Sequence, residues 1–212
     1  MTAWGISFDP ILSWPILAVL GALGRLSRSP LLNGIASFYV SFFRGTPLIL
    51  QLLFWYLALP QIGVVLDPIL CAIAALAINY GAYMTEIFRA GIQAVGPGQS
   101  EAAEALGMSY RQKMQRIVLP QAFRIIIPPT GNEFIAMMKD TALVSFLGAS
   151  AATAELFRRS QLVGKASFKN LEAYLVAAGL YWALTAVFTA FQRRLEARLS
   201  KGYTRHVEGI PH

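Results

Sequence analysis

Residues 101–120 read EAAEALGMSYRQKMQRIVLP, a polar and basic segment set between apolar stretches in a chain otherwise suited to a lipid bilayer. Ser100 is placed to cap a helix starting at Glu101, whose carboxylate would then lie at the positive end of the helix dipole. Gly107 is a natural stop, because glycine accepts the left-handed geometry that ends helices. Ser109 followed by Gln112 has the pattern of a capping box and starts a second short helix. Pro120 disfavours helical geometry at Leu119 and marks an end or a kink. The local expectation is two short helices joined at an angle, a compact knob projecting from a membrane. On the caps alone, an ordinary helical hairpin lying on lipid headgroups fits as well.

The rest of the chain argues for the membrane. Of 212 residues, 56% are hydrophobic and only 14% charged, where a soluble domain carries about 25%. The mean hydropathy is +0.52. A net charge of +7 raises the question of nucleic acid, but the basic residues cluster beside apolar runs, so membrane topology explains them and no nucleic-acid partner is expected. The single cysteine, Cys71, sits in an apolar run and excludes an internal disulfide framework. His206 and His212 are confined to the tail, and there is no zinc-ligand spacing, phosphate loop or Gly-x-Ser-x-Gly elbow. No metal or cofactor is expected, the chain is not expected to be an enzyme, and any ATP chemistry must come from another chain.

The expected architecture is all-α: a polytopic membrane bundle of about five transmembrane helices, one transmembrane domain over 1–212, with a cytoplasmic loop at about 91–124. The spans run from about Ile11 to Leu23, Pro47 to Leu59, Pro68 to Phe88, Ile125 to Leu147 and Ala173 to Phe191. A spanning helix needs roughly 20 residues. The last three have that length; the second has it only if the helix begins near Phe38, carries Arg44 at the interface and kinks at Pro47. The first is short, with Asp9-Pro10 upstream. Met1 to Phe8 has no basic region, so no cleaved signal peptide is expected.

Basic residues orient the bundle. Arg25 and Arg28 follow the first span, and Arg44 precedes the core of the second. Arg89, Arg111, Lys113, Arg116 and Arg124 fill the long loop; Arg193, Arg194, Arg198, Lys201 and Arg205 follow the last span. All fall on one side if the N-terminus is outside and the C-terminus cytoplasmic. Arg158, Arg159, Lys165 and Lys169 disagree, and the stretch Glu155 to Val163 is expected as an external amphipathic helix.

The spacing Glu101-Ala102-Ala103, Gly107, Ile117, Leu119-Pro120 resembles, without gap or mismatch, the cytoplasmic EAA loop of ABC importer permeases. It fixes seven positions across twenty, between membrane spans. Arg44-Gly45-Thr46-Pro47-Leu48, Gly81-Ala82-Tyr83 with Glu86-Ile87-Phe88-Arg89-Ala90-Gly91-Ile92, Gly131-Asn132-Glu133-Phe134, and Lys139-Asp140-Thr141-Ala142-Leu143-Val144 are similar to the permeases for polar amino acids such as histidine, glutamine, arginine and glutamate. The resemblance covers nearly all of the chain after Arg25. That family usually shows glutamine at the position of Glu133 and serine at that of Ala142. The resemblance implies a bacterial inner-membrane protein. It also implies two ABC ATPase subunits gripping the knobs, a second permease copy or paralogue, and an external amino-acid-binding protein delivering an amino acid.

Charged residues in apolar segments normally pair or face water, since each costs roughly 2.5–3.5 kcal/mol at the bilayer centre on insertion scales. Asn79, Asn132, Glu133, Lys139 and Asp140 are therefore candidates for a polar path that takes a zwitterion. Lys139 and Asp140, taken singly, are explained somewhat better by a place near the outer mouth or by pairing with neighbouring helices. Glu86 and Arg89, three apart, are expected as an ion pair. Arg44 to Pro47 is expected as an interface anchor and kink, and Trp55, Tyr56, Tyr181 and Trp182 as belt or packing residues. Small residues such as Ala72, Ala74, Ala75, Ala77, Gly81 and Ala82 suit either a two-fold interface or packing within one bundle. A secondary transporter or channel subunit working without ATP would explain the spans and charges but not the knob.

Overall fold

The computed structural model describes residues 3–148 and 154–199, with side chains from Trp14 onward. Lys201, Arg205, His206 and His212 lie outside the described residues.

The hub is α4 (Pro68–Gln93). Asp67 caps it by accepting from the Ile69 N–H at 2.8 Å, and Pro68 occupies the first turn, where its missing N–H costs nothing. Ala72, Ala75, Ala77, Gly81 and Ala82 are all buried, so these small residues serve packing within this chain. The first helix, α1 (Ala3–Leu26), lies against them. A Cβ on Gly81 would come within 2.9 Å of the Leu17 Cβ and 2.7 Å of the Tyr39 hydroxyl. Across the same seam, Gly21 leaves room for Thr85, whose Oγ1 would be 2.2 Å from a Cβ there. Backbones approach this closely only where side chains are missing. The helix begins upstream of the expected Ile11 and continues through Asp9-Pro10.

The second span is not a kinked rod. Helix α2 (Pro30–Gly45) stops, Thr46 and Pro47 are extended, and α3 (Leu48–Leu53) leaves at a bend of 102° before a π turn (Phe54–Ala58) and a 3₁₀ turn (Leu59–Ile62). Pro47 explains the extended Thr46. Side chains from elsewhere satisfy the carbonyls that the break exposes. The Gln51 amide donates to the Phe43 carbonyl at 3.0 Å and to Thr46 Oγ1 at 2.8 Å, and Asn79 of α4 donates to Phe43 at 3.0 Å. Irregular backbone inside a membrane needs such partners.

Helix α7 (Leu119–Asp140) begins earlier than expected and tightens into a 3₁₀ segment, Thr141–Leu147, ended by Gly148 at φ +69°. It contains Pro128 and Pro129; Gln192 reaches in to donate to the Pro128 carbonyl at 3.1 Å. The helix expected at Glu155 to Val163 is α8 (Leu156–Ser167), with Glu155 as its cap, buried and also accepting from the Tyr181 hydroxyl at 2.8 Å. The last helix is α9 (Asn170–Leu199), longer at both ends than expected. By length and apolarity α4 and α9 can cross a membrane, and the bent pair makes a third if counted as one span. The expected total of five also needs α1, whose apolar part is the shorter Trp14–Leu26, and α7, which has the length but carries Arg124, Glu133, Lys139 and Asp140.

Candidate coupling knob and membrane cleft

The segment 94–120 folds as two helices at an angle. The first, α5 (Pro97–Ala105), starts one turn before Glu101, with Gly96 as cap and Pro97 in its first turn. Ser100 is thus inside the helix and caps nothing; proline at the first helical position, with its φ already set, decides the start. Gly107, at φ +71°, ends it in a Schellman pair: the Met108 N–H donates to Ala103 at 3.0 Å and the Gly107 N–H to Glu104 at 2.9 Å. Ser109 and Gln112 then close a reciprocal capping box, at 2.9 and 3.3 Å, that opens α6 (Tyr110–Lys113).

Pro120 does not end this second helix. A π turn, Met114–Val118, joins α6 directly to α7, with the Leu119 N–H reaching back to the Met114 carbonyl and Pro120 in the first turn of α7. The Gln121 side chain donates to the Ile117 carbonyl at 3.0 Å. Proline is tolerated because the wider turn has already broken the α ladder at that point.

Two contacts fix the knob to the bundle, and a third ties its two helices together. Val95, Val118 and Ala122 form a buried cluster with Ile92, Met114, Ile125 and Ile126. At Gly91 an added Cβ would lie 2.3 Å from the Ile126 Cγ1, so α4 and α7 touch where the knob begins. Lys113 Nζ pairs with Glu104 Oε1 at 2.5 Å across the two knob helices. Ala103 is buried under the knob, whereas Glu101, Ala102, Leu106, Leu119 and Pro120 are exposed, Leu106 at 81%. The exposed edge is narrow because Ala102 has only a methyl group.

Near the same end of the bundle, Glu86 pairs with Arg89 at 2.7 Å, as expected, and also with Arg25 of α1 at 3.0 Å. Asn33 of α2 donates to the Arg25 carbonyl at 2.8 Å, and Arg25 also contacts Ser37. The carboxylate joins α1 to α4, and Arg25 carries the link on to α2. In the sequence Arg25 looked like a topology marker only; its partner lies 61 residues away.

The polar candidates divide. Asn79, Glu133 and Asp140 line one cleft of about 460 Å³, together with Arg44, Gly45, Thr46, Tyr80 and Tyr83. Asn79, Tyr80 and Tyr83 lie in the middle of α4, so the cleft sits at mid-span and is walled by the α2–α3 break. Arg44, expected at the interface, lines this cleft, with its guanidinium over the Tyr83 ring at 5.0 Å. Asp140 accepts from the Tyr80 hydroxyl at 2.7 Å. The Asn79 amide is occupied by Phe43 and, at 3.2 Å, by Gln51. Asn132 lies outside the cleft, accepting from Gln192 of α9 at 2.9 Å, and Lys139 is exposed elsewhere on α7. Trp55 and Tyr56 pack against the core around Leu52, Cys71 and Leu76, and Tyr181 holds Glu155. Trp182 is 74% exposed.

Residues 16–201 match the family described as "Binding-protein-dependent transport system inner membrane component". The chain belongs to this family. The permease is 39% identical over 208 residues to the probable amino-acid ABC transporter permease protein PatM of Vibrio harveyi, covering 97% of this chain and 89% of that protein. It is 41% identical to the L-cystine transport system permease protein TcyB of Bacillus subtilis, covering 88% and 78% of the two chains. A crystal structure of an amino acid ABC transporter with histidines superposes with a TM-score of 0.87 at 37% identity, over 92% of the permease and 90% of that chain. An inward-facing MetNI methionine ABC transporter shares the fold, with a TM-score of 0.73 at 17% identity. The permease is thus a membrane component of an ABC transport system, which works with ATPase subunits and a substrate-binding protein.

Proposed function

We propose that the permease forms half of the translocation path of an ATP-driven importer for polar amino acids. Two ATPase subunits hold the knobs of two permeases, copies or paralogues, and an external binding protein delivers the amino acid. The observation that carries this is the knob itself: a helix pair ended, capped and bolted so that it moves as one piece with α4 and α7. Glu101, Ala102, Ala103, Gly107, Ile117, Leu119 and Pro120 shape it. A rigid contact of this kind lets ATP binding favour one of two membrane states, which is all that coupling requires thermodynamically. Domain 1–212 acts as one unit, with its N-terminus outside and its C-terminus cytoplasmic, in keeping with the basic residues at the knob end.

The mid-span cleft is the part of the polar path that the geometry favours for a zwitterion. Arg44 offers a guanidinium to a carboxylate, and Glu133 and Asp140 offer carboxylates to an ammonium. A discontinuous helix beside a mid-membrane polar site is a recurrent transporter arrangement. Asn79 contributes by holding the break in shape. Asn132 and Lys139 lie outside this cleft.

The test is labelling and capture. Cysteines introduced at Glu101 and Gln61, in a Cys71→Ala background, are probed with a membrane-impermeant thiol reagent. The expected result is labelling of position 101 only from the cytoplasmic side and of 61 only from outside, with an ATPase subunit co-purifying. External labelling of position 101, or no ATPase recovered with a folded permease, overturns the proposal.

A further inference from the structure

Arg158, Arg159, Lys165 and Lys169 lie in or beside α8, past the end of α7 that is remote from the knob. They break the rule that gathers lysine and arginine on the cytoplasmic side. Two of them rim a groove of about 360 Å³ between α8 and the start of α9. Its walls are two helical stripes, Leu156 and Val163 on α8 facing Val176 and Leu180 on α9. The helices are pinched together at the turn, where a Cβ on Gly164 would lie 2.6 Å from the Asn170 Oδ1. Ser160 and Ser167 also line the groove, but each hydroxyl donates at 2.7 Å to a carbonyl of its own helix. The walls therefore present no free hydroxyl donor. That suits a hydrocarbon chain and not a polypeptide, whose amides need partners.

The rim is different in kind. Arg159 spends its Nε on the Ala154 carbonyl at 3.1 Å, and its terminal nitrogens have no partner among the described residues. Lys169 is exposed and forms no ion pair there either. Glu172 is the one acid on the rim, so two cations against one carboxylate leave a single positive charge. A phosphodiester carries the matching negative charge, and a guanidinium beside an ammonium is a good set of donors for its oxygens. Beside the groove, Phe168 holds φ at +55° with its ring 94% exposed, at a turn position that strains any side chain. An aromatic ring displayed there fits the bilayer interface, where such rings gather.

We propose that the α8–α9 groove binds one anionic phospholipid. An acyl chain lies between Val163 and Val176, Arg159 and Lys169 hold the phosphodiester, and Phe168 anchors the hairpin at headgroup level. Phosphatidylglycerol, whose headgroup adds no charge to its phosphate, neutralises the rim; phosphatidylethanolamine, with no net charge, does not. The orientation proposed above makes this a lipid of the outer leaflet. The site gives the misplaced basic residues a use.

The experiment is native mass spectrometry of the delipidated permease–ATPase complex, titrated with phosphatidylglycerol or phosphatidylethanolamine. The first bound phosphatidylglycerol is expected to be held about tenfold or more tightly than phosphatidylethanolamine. In the double variant Arg159→Gln with Lys169→Gln the two lipids should come within about threefold. Lys169→Gln alone, at an exposed turn, should lower the ratio in the same direction and serves if the double variant fails to assemble. Val176→Trp fills the groove and should weaken both lipids, and excess inorganic phosphate should leave phosphatidylglycerol bound. Equal binding of the two lipids, a ratio unmoved by the charge variants, or displacement by inorganic phosphate overturns the proposal. So does a disulfide between two copies carrying Val176→Cys in a Cys71→Ala background, which would show the groove covered by a second permease. Each of these failures leaves the knob and the mid-span cleft as they stand, since neither contains Arg159 or Lys169.

Discussion

Single residues with no freedom to change carry much of the coupling geometry. Gly107 holds φ at +71°, where a side chain costs about 1–2 kcal/mol. Gly107→Ala should therefore lower ATP-coupled uptake while leaving abundance in the membrane near normal, and Gly107→Pro should abolish uptake; full uptake by Gly107→Pro would show that the bend is irrelevant. Gly91 is tight for a different reason, since its open side is filled by Ile126. Gly91→Val should cost about 1–3 kcal/mol through overpacking, and the pair Gly91→Val with Ile126→Ala should recover most of it. The check is the thermal midpoint of the detergent-purified protein, and an unrecovered double variant would place the strain elsewhere. Glu86 neutralises two arginines, one from α1. Glu86→Gln leaves both without a counter-charge and should destabilise by about 1.5–3 kcal/mol, read in the same thermal assay, with Glu86→Asp intermediate.

At the level of elements, what was legible in the sequence was what depends on neighbours in sequence. The stop at Gly107 and the capping box at Ser109 and Gln112 are closed by residues within three or five positions, and both appear as read. The start of α5 was misplaced because Ser100 and Pro97 are competing start signals a few residues apart, and proline at the first helical turn prevailed. The break at Thr46-Pro47 was legible as a kink, but not as a 102° turn. Its severity depends on Asn79, 36 residues from its Phe43 partner, and on Gln51, both satisfying carbonyls that a continuous helix would have satisfied itself. Gln51→Leu should therefore strand the Thr46 carbonyl and leave Phe43 held by Asn79 alone. A loss of about 1–3 kcal/mol is expected, with faster amide exchange confined to the α2–α3 junction; unchanged exchange there would mean that the break holds without it.

Over the whole molecule, the cleft and the knob are joined by α7, which starts in the knob's hydrophobic cluster and ends at Asp140. On the proposed function, motion of the knob would reach Glu133 and Asp140 through this one helix. Of the five polar candidates in the sequence, three share this cleft. The other two were indistinguishable from them by composition, because facing direction on a helix that contains Pro128 and Pro129 is set by tertiary packing, here against Gln192. Helix α9 has a spanning window only 6% buried within the chain, so nearly all its apolar surface is left for lipid or another subunit. The most direct measurement of the central claim is amino acid uptake per ATP hydrolysed in proteoliposomes containing the permease, its ATPase partners and the binding protein, comparing Glu101→Lys with the unaltered chain. Glu101 is exposed on the knob and makes no hydrogen bond or ion pair among the described residues, so the fold should survive. Uptake is expected to fall to background, with hydrolysis lost or uncoupled from it; the normal ratio at normal abundance would contradict a knob that transmits the motion of the ATPase.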